Sequence, residues 1–167
     1  ESVVCISDYA QTSILDRLRR DRTLATTVAH PGGDHLAVRA GNPPAGDEPT
    51  RFIRVGTMEA RKSPQEILAG FRAARAAGAN AELVFVGRAS SSDEAINADV
   101  RAAIRQGLPV TWIEHASDEQ VHDLVNTSSA FLSIGIEGYG IPVLEAIRLG
   151  TPVLFDGIQP AGDLMAG

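Results

Sequence analysis

Short apolar runs alternate with amphipathic stretches along the chain. Val3-Val4-Cys5-Ile6 reads as a buried strand, and Ser7 or Asp8 caps the helix after it, with Ile14, Leu15 and Leu18 at helical spacing. Residues 24–29 read as a second strand. The pattern then breaks. Pro31-Gly32-Gly33-Asp34 is turn chemistry, and the Pro/Gly-rich run at 41–49 reads as a linker. A boundary is expected there, with residues 1–36 on one side, 37–50 as the connection, and 51–167 as the main domain.

Beyond the linker the units are regular. Strands are predicted at 51–55, 82–86, 110–113, 130–134 and 152–155, each short and apolar. Between them, helices are predicted at 63–77, from the loop at 90–93 to 107, at 117–125 and at 141–149. Pro64 suits a first helical position, Ser117-Asp118-Glu119-Gln120 is a capping box, and Gly78 and Gly150 are stops. Strands apolar on both faces, separated by amphipathic helices, predict an α/β fold: a Rossmann-like parallel sheet with helices on both faces. Ligands of such sheets bind at the carboxyl ends of the strands.

Composition narrows the class. The 167 residues are 44% hydrophobic and 22% charged, which excludes disorder, and a single cysteine, Cys5, excludes a disulfide scaffold. No apolar run approaches a membrane span, and no secretory leader is visible. The first residue is Glu1, so the chain reads as a fragment or a processed product. The net charge of −6 argues against nucleic acid as a partner. That total hides a local asymmetry. Residues 51–110 carry nine basic and six acidic side chains, whereas 111–167 carry one and eight. Fourteen of the 15 basic residues are arginine, which singles out Lys62.

Two strand ends carry unusual chemistry. In Val55-Gly56-Thr57-Met58-Glu59-Ala60-Arg61-Lys62-Ser63, Gly56 permits close approach to the backbone. Arg61 and Lys62 stand just before a helix N-terminus and suit a diphosphate, unless they are simply solvated. In Glu137-Gly138-Tyr139-Gly140-Ile141-Pro142-Val143-Leu144-Glu145-Ala146, the glycines make a tight turn with accessible amides. Glu145 falls on an otherwise apolar helix face, where a pair of ribose hydroxyls would be a good partner; the alternative is that it points to solvent. Gly138-x-Gly140, with Asp156 at the next strand end, imitates a dinucleotide fingerprint. Val143 stands in place of its third glycine, which argues against NAD.

These two segments, in this order and followed by Gly150-Thr151-Pro152-Val153, resemble the motifs of retaining GT-B glycosyltransferases. The resemblance covers residues 51–167 and is that of the C-terminal, donor-binding domain. Residues 1–36 more weakly resemble the end of the N-terminal domain and the crossover. The resemblance implies that Arg61 and Lys62 neutralise a leaving nucleoside diphosphate without a metal or other cofactor, and that Glu137 contacts the donor sugar. It further implies donor contacts by Gly56 and Thr57, by amides from Gly138, Tyr139, Gly140 and Ile141 to Val143, and by Glu145 on the ribose. The backbone from Ile113 to Ala116 is expected at the base, with His115 as a candidate for lining that pocket. The donor is expected to be a UDP-, GDP- or ADP-sugar, with Glu59-x-Arg61-Lys62 leaning towards GDP-mannose.

Two departures from the family stand out. Glu114 replaces a common glycine, and the stretch 133–136 is short and lacks a proline. The acceptor site, the glycine-rich N-terminal loop and the closing C-terminal helix of the family have no counterpart in these residues, so the fragment is expected to bind donor without transferring sugar alone. A nucleotide-sugar epimerase of the same fold and a non-catalytic nucleotide-binding module are the alternatives. The expected location is cytoplasmic. The run Arg17-Leu18-Arg19-Arg20-Asp21-Arg22 is either a solvated helix end or a patch for peripheral membrane association. His30, His35, His115 and His122 show no metal or triad spacing, Cys5 and Trp112 read as core, and Ser128-Ser129 as loop.

Overall fold

The structure is a computed structural model that describes residues 2–18 and 24–166. Arg19, Arg20, Asp21 and Arg22 of the basic run lie outside the described residues. Two parallel sheets are present. The smaller pairs β1 (Ser2–Cys5) with β2 (Ala25–Val28), with α1 (Asp8–Arg17) between them in the chain. The larger has five strands: β3 (Thr50–Val55), β4 (Ala81–Val86), β5 (Val110–Ile113), β6 (Ala130–Ile136) and β7 (Val153–Ile158). Their order is β5-β4-β3-β6-β7, so the direction of winding reverses between β3 and β6.

Helices flank both faces. Buried Ile67, Leu68 and Phe71 of α2 (Pro64–Ala76) and Val100 of α3 (Glu94–Arg105) pack with Leu83 and Phe85 in one core. On the other face, Val125 of α4 (Asp118–Asn126) and Val143, Leu144 and Leu149 at α5 (Ile141–Arg148) pack with Ile53 and Phe131. The capping box at Ser117 and Gln120 forms in both directions. The register explains the division: alternate strand residues face opposite cores.

Two elements were not predicted. A single 3-10 turn spans Ala60–Lys62, and α6 (Pro160–Ala166) closes the described chain. Strands β6 and β7 also run two or three residues further than their apolar cores. The expectation of strands covered on both faces fails at the β7 edge, where Leu154 is 51% exposed and Ile158 37%.

Residues 29–49 contain no helix or strand but are not loose. The Arg39 amide donates to the Arg148 carbonyl, and the Asn126 side chain donates to the Ala40 and Leu149 carbonyls. Arg148 Nε donates to the Leu36 carbonyl. These bonds lay the segment across the ends of α4 and α5.

Candidate functional site

Strands β3 and β6 share register at just two pairs, Phe52↔Ala130 and Ile53↔Phe131, whereas β3 and β4 share six. Past Ile53 the two strands part, and their carboxyl ends border a crevice at the point where the winding reverses. Open parallel sheets bind ligands at such a point.

The turn that carries the cations lies along one side of this crevice. Gly56 leaves β3 with φ 130 and its amide donates to the Val86 carbonyl at 2.7 Å. Met58, fully buried, anchors the loop from below. The chain then makes the 3-10 turn, and Ser63 takes a left-handed conformation (φ 49) before Pro64 starts α2. Ser63 has the one positive φ found outside glycine among the described residues, and its hydroxyl caps nothing. A left-handed serine is strained, and such strain concentrates at functional sites. Opposite the turn, Gly135 of β6 is at φ 101, and a Cβ there would overlap the Arg61 carbonyl. Gly135 is therefore what lets the cation turn lie against β6.

Glu137, next after β6, faces that turn. Lys62 Nζ is 3.1 Å from Glu137 Oε1, and Arg61 Nη1 is 3.3 Å from Oε2. Arg61 also donates to the Ile136 carbonyl at 3.0 Å and pairs with Glu59 at 2.7 Å. The Lys62 and Glu137 side chains are 12% and 17% exposed, so this pair lies mostly out of water. Burial pushes the Lys62 ammonium below its usual pKa; neighbouring Arg54 adds to that, and Glu137 partly offsets it.

Sequence reasoning missed Arg54. The residue is 3% exposed, and its guanidinium donates from Nη1 to the Val55 carbonyl at 2.6 Å and sits beneath Gly56. Burial lowers its pKa to about 10, against an opposing pull from Glu137.

The glycine turn after Glu137 is held from three sides. The Ser7 hydroxyl donates to the Gly138 carbonyl at 2.6 Å. The Tyr139 carbonyl accepts from the Ala161 amide, and the Tyr139 hydroxyl donates to the Pro31 carbonyl at 3.0 Å. The Tyr139 ring is buried and stacks on His30 at 5.6 Å between centroids. Its side chain thus ties the turn to residues 30–31, leaving backbone amides as the open groups of the turn. The amides of Gly138, Tyr139, Gly140 and Ile141 have no protein acceptor among the described residues. The Val143 amide does: it donates to the Gly140 carbonyl at 3.0 Å, and its side chain is core. The Val143 amide is therefore engaged within the protein, unlike those of residues 138–141.

Glu145, one turn into α5, accepts from or pairs with His35 Nε2 at 3.1 Å. A separation of 110 residues hid this partner in the sequence. Glu145 does not touch the Arg61–Lys62–Glu137 cluster. Neither do Ile113 and His115. The Ile113 carbonyl accepts from the Gly87 amide, His115 is exposed, and Thr57 contributes its carbonyl to the Glu59 amide. Glu114, the departure noted above, is turned to Arg101 at 2.7 Å, and that guanidinium lies 4.9 Å over the Trp112 ring.

With this geometry in hand, comparison with known proteins is decisive. The family model "Glycosyl transferases group 1" matches residues 40–164. The chain belongs to that family. The group 1 glycosyltransferase chain is also 34% identical over 105 residues to the serotype-specific mannosyltransferase WbdA of Escherichia coli, covering 62% of this chain. That match spans 13% of the WbdA chain. Among solved structures, Anabaena HepE in complex with UDP and glucose superposes with a TM-score of 0.74 at 17% identity, over 97% of this chain and 46% of HepE. The E. coli trehalose-6-phosphate protein bound with UDP-2-fluoro glucose gives 0.74 at 13% identity, over 99% and 48%. The fold of this group 1 chain is that of a GT-B Rossmann-like domain.

Proposed function

We propose that the chain is the donor-binding part of a retaining glycosyltransferase that takes a sugar from a nucleotide-diphosphate sugar. The observation that carries this reading is the Arg61–Lys62 turn packed against Glu137 at the reversal point of the sheet. In the reaction, the bond between the sugar's anomeric carbon and the diphosphate oxygen breaks, and negative charge grows on the diphosphate. Fixed cations in a partly water-excluded site stabilise that charge without reorganising. Arg61 and Lys62 take this role, with the free amides of residues 138–141 on the phosphate and sugar. Glu137 holds the sugar hydroxyls, and Glu145 the ribose. The backbone after Ile113, with His115 beside it, borders the base. Residues 1–36 belong to the partner domain that carries the acceptor.

The UDP complexes of the structural neighbours support a nucleotide-sugar partner, and the name of WbdA favours mannose as the sugar. The test is a thermal-shift panel of UDP-, GDP- and ADP-sugars on the 167-residue chain. At a hundred times Kd the stabilisation is about 2.7 kcal/mol, roughly 5–10 °C for a domain of this size. A shift with GDP-mannose larger than with the other donors is expected. No shift with any nucleotide sugar at millimolar concentration contradicts the reading, and conversion of the donor without acceptor would indicate an epimerase.

A further inference from the structure

Arg54 is a cation that the fold keeps at a cost. Its neighbours along β3, Phe52 and Ile53, pack against the two cores, and Arg54 is more deeply buried than Phe52 and nearly as deeply as Ile53. A charge in such a position normally has a carboxylate partner. No carboxylate lies within ion-pair distance of Arg54 among the described residues. Among the described residues its one hydrogen-bond acceptor is the Val55 carbonyl, and since no fully buried side-chain nitrogen there lacks a partner, its remaining donors keep a small opening to solvent.

Its direction matters as much as its burial. A Cβ built on Gly56 would stand 2.7 Å from Arg54 Nη1 and 2.8 Å from Lys62 Nζ. The two cations therefore converge on one point, beneath the residue at which β3 opens into the crevice. Gly56 has no side chain to cover them. Arg61 and Lys62 share one carboxylate, Glu137, Arg61 is further paired with Glu59, and Arg54 beneath them has no ion-pair partner among the described residues. The cluster as it stands is short of negative charge.

We propose that Arg54 is a third cation of the anion site, fixed under Gly56 and acting with Lys62 and Arg61 on a bound diphosphate. The inference rests on the donor reading and deepens it, since the diphosphate is that of the nucleotide sugar. Its guanidinium supplies a buried charge that needs no side-chain ordering when the anion arrives. Burial also makes that charge effective, because little water screens it.

The test titrates inorganic pyrophosphate by calorimetry into the 167-residue chain and its Arg54→Met and Arg54→Lys variants, and records the unfolding temperature of each without ligand. Methionine keeps much of the stem and removes the charge. Arg54→Met is expected to weaken pyrophosphate binding about tenfold or more, the value of a lost charge-assisted contact, while Arg54→Lys retains most of it. The unfolding temperature of Arg54→Met is expected to stay level or rise. Unchanged pyrophosphate affinity in Arg54→Met, with a lower unfolding temperature, assigns Arg54 to holding the Val55 carbonyl and overturns the proposal. A second measurement needs no variant: the Arg54 Nε–Hε resonance of the unmodified chain shifts on adding pyrophosphate, and an unmoved resonance overturns it too. The probe carries no base or ribose, so the two readings fail separately. Pyrophosphate binding through Arg54 without any nucleotide binding removes the donor reading alone. Nucleotide-sugar binding unaffected by Arg54→Met removes this one alone.

Discussion

Lys62 Nζ lies 3.1 Å from Glu137 Oε1, joining the turn after β3 to the residue after β6 across the crevice. In the absence of an anionic ligand, Glu137 is the counter-ion of this site. Glu137→Gln leaves a mostly buried ammonium without its carboxylate, and about 2 kcal/mol of stability is expected to go with it. The same change leaves the cations uncompensated, so pyrophosphate should bind more tightly than to the unmodified chain. Unfolding with and without pyrophosphate reads both effects; lower stability with weaker pyrophosphate binding contradicts the account.

In the proposed reading, Glu145 serves the nucleoside and not the anion. Glu145→Ala is expected to weaken nucleoside diphosphate binding about tenfold, as charge-assisted hydrogen bonds to ribose are lost, and to leave pyrophosphate affinity unchanged. The His35 contact is half in solvent, so His35→Ala should alter stability by about 1 kcal/mol or less. Calorimetry with the two ligands on each variant checks both statements.

Burial of the cations fixes two pH dependences. Burial holds Arg54 at about 10, well below an unburied arginine. Between those values the unfolded chain binds more protons than the folded one, so this group makes stability rise with pH. The stability of the unmodified chain relative to Arg54→Met should therefore improve as pH climbs above about 10. Lys62 acts on binding in the opposite direction. Its pKa is lowered from 10.5, so its charge, and diphosphate affinity with it, is lost at a lower pH than for an ordinary lysine. Lys62→Arg should hold pyrophosphate further into the alkaline range. Affinities measured between about pH 8 and 10.5 decide this.

Two glycines should respond oppositely to alanine. Gly135→Ala forces a side chain into a left-handed residue and against the Arg61 carbonyl, so a loss of about 2–3 kcal/mol and a displaced cation turn are expected. Gly70, inside α2, has open space where its Cβ would go. Gly70→Ala should stabilise by about 0.5–1 kcal/mol through helix propensity. Denaturant unfolding of both variants tests the contrast.

The alternation of apolar runs and amphipathic stretches was enough to read the parallel α/β sheet, because each strand is short, buried and bounded by a cap or a stop. The candidate residues that lay in contiguous motifs are brought together: Gly56, Arg61, Lys62 and Glu137 meet in the structure. What stayed hidden depends on contacts between distant segments. Arg54 sits mid-strand with nothing local to mark it, and its meaning comes from Gly56 above it and Lys62 beside it. His35 finds Glu145 across the chain, and Ser7 and His30 brace the glycine turn from the N-terminal segment. The Val143 amide was expected to be open at the start of the 141–149 helix, and its acceptor, the Gly140 carbonyl, appears once the first turn of α5 closes.

The central claim is that the turn carrying Arg61 and Lys62 binds the diphosphate of a nucleotide donor. Calorimetric titration of GDP and UDP into the 167-residue chain and into its Arg61→Ala/Lys62→Ala double variant tests it most directly. The account predicts that the unmodified chain binds at least one nucleoside diphosphate and that the double variant loses about a hundredfold or more, two charge-assisted contacts at once. Equal affinity in the two chains would contradict it.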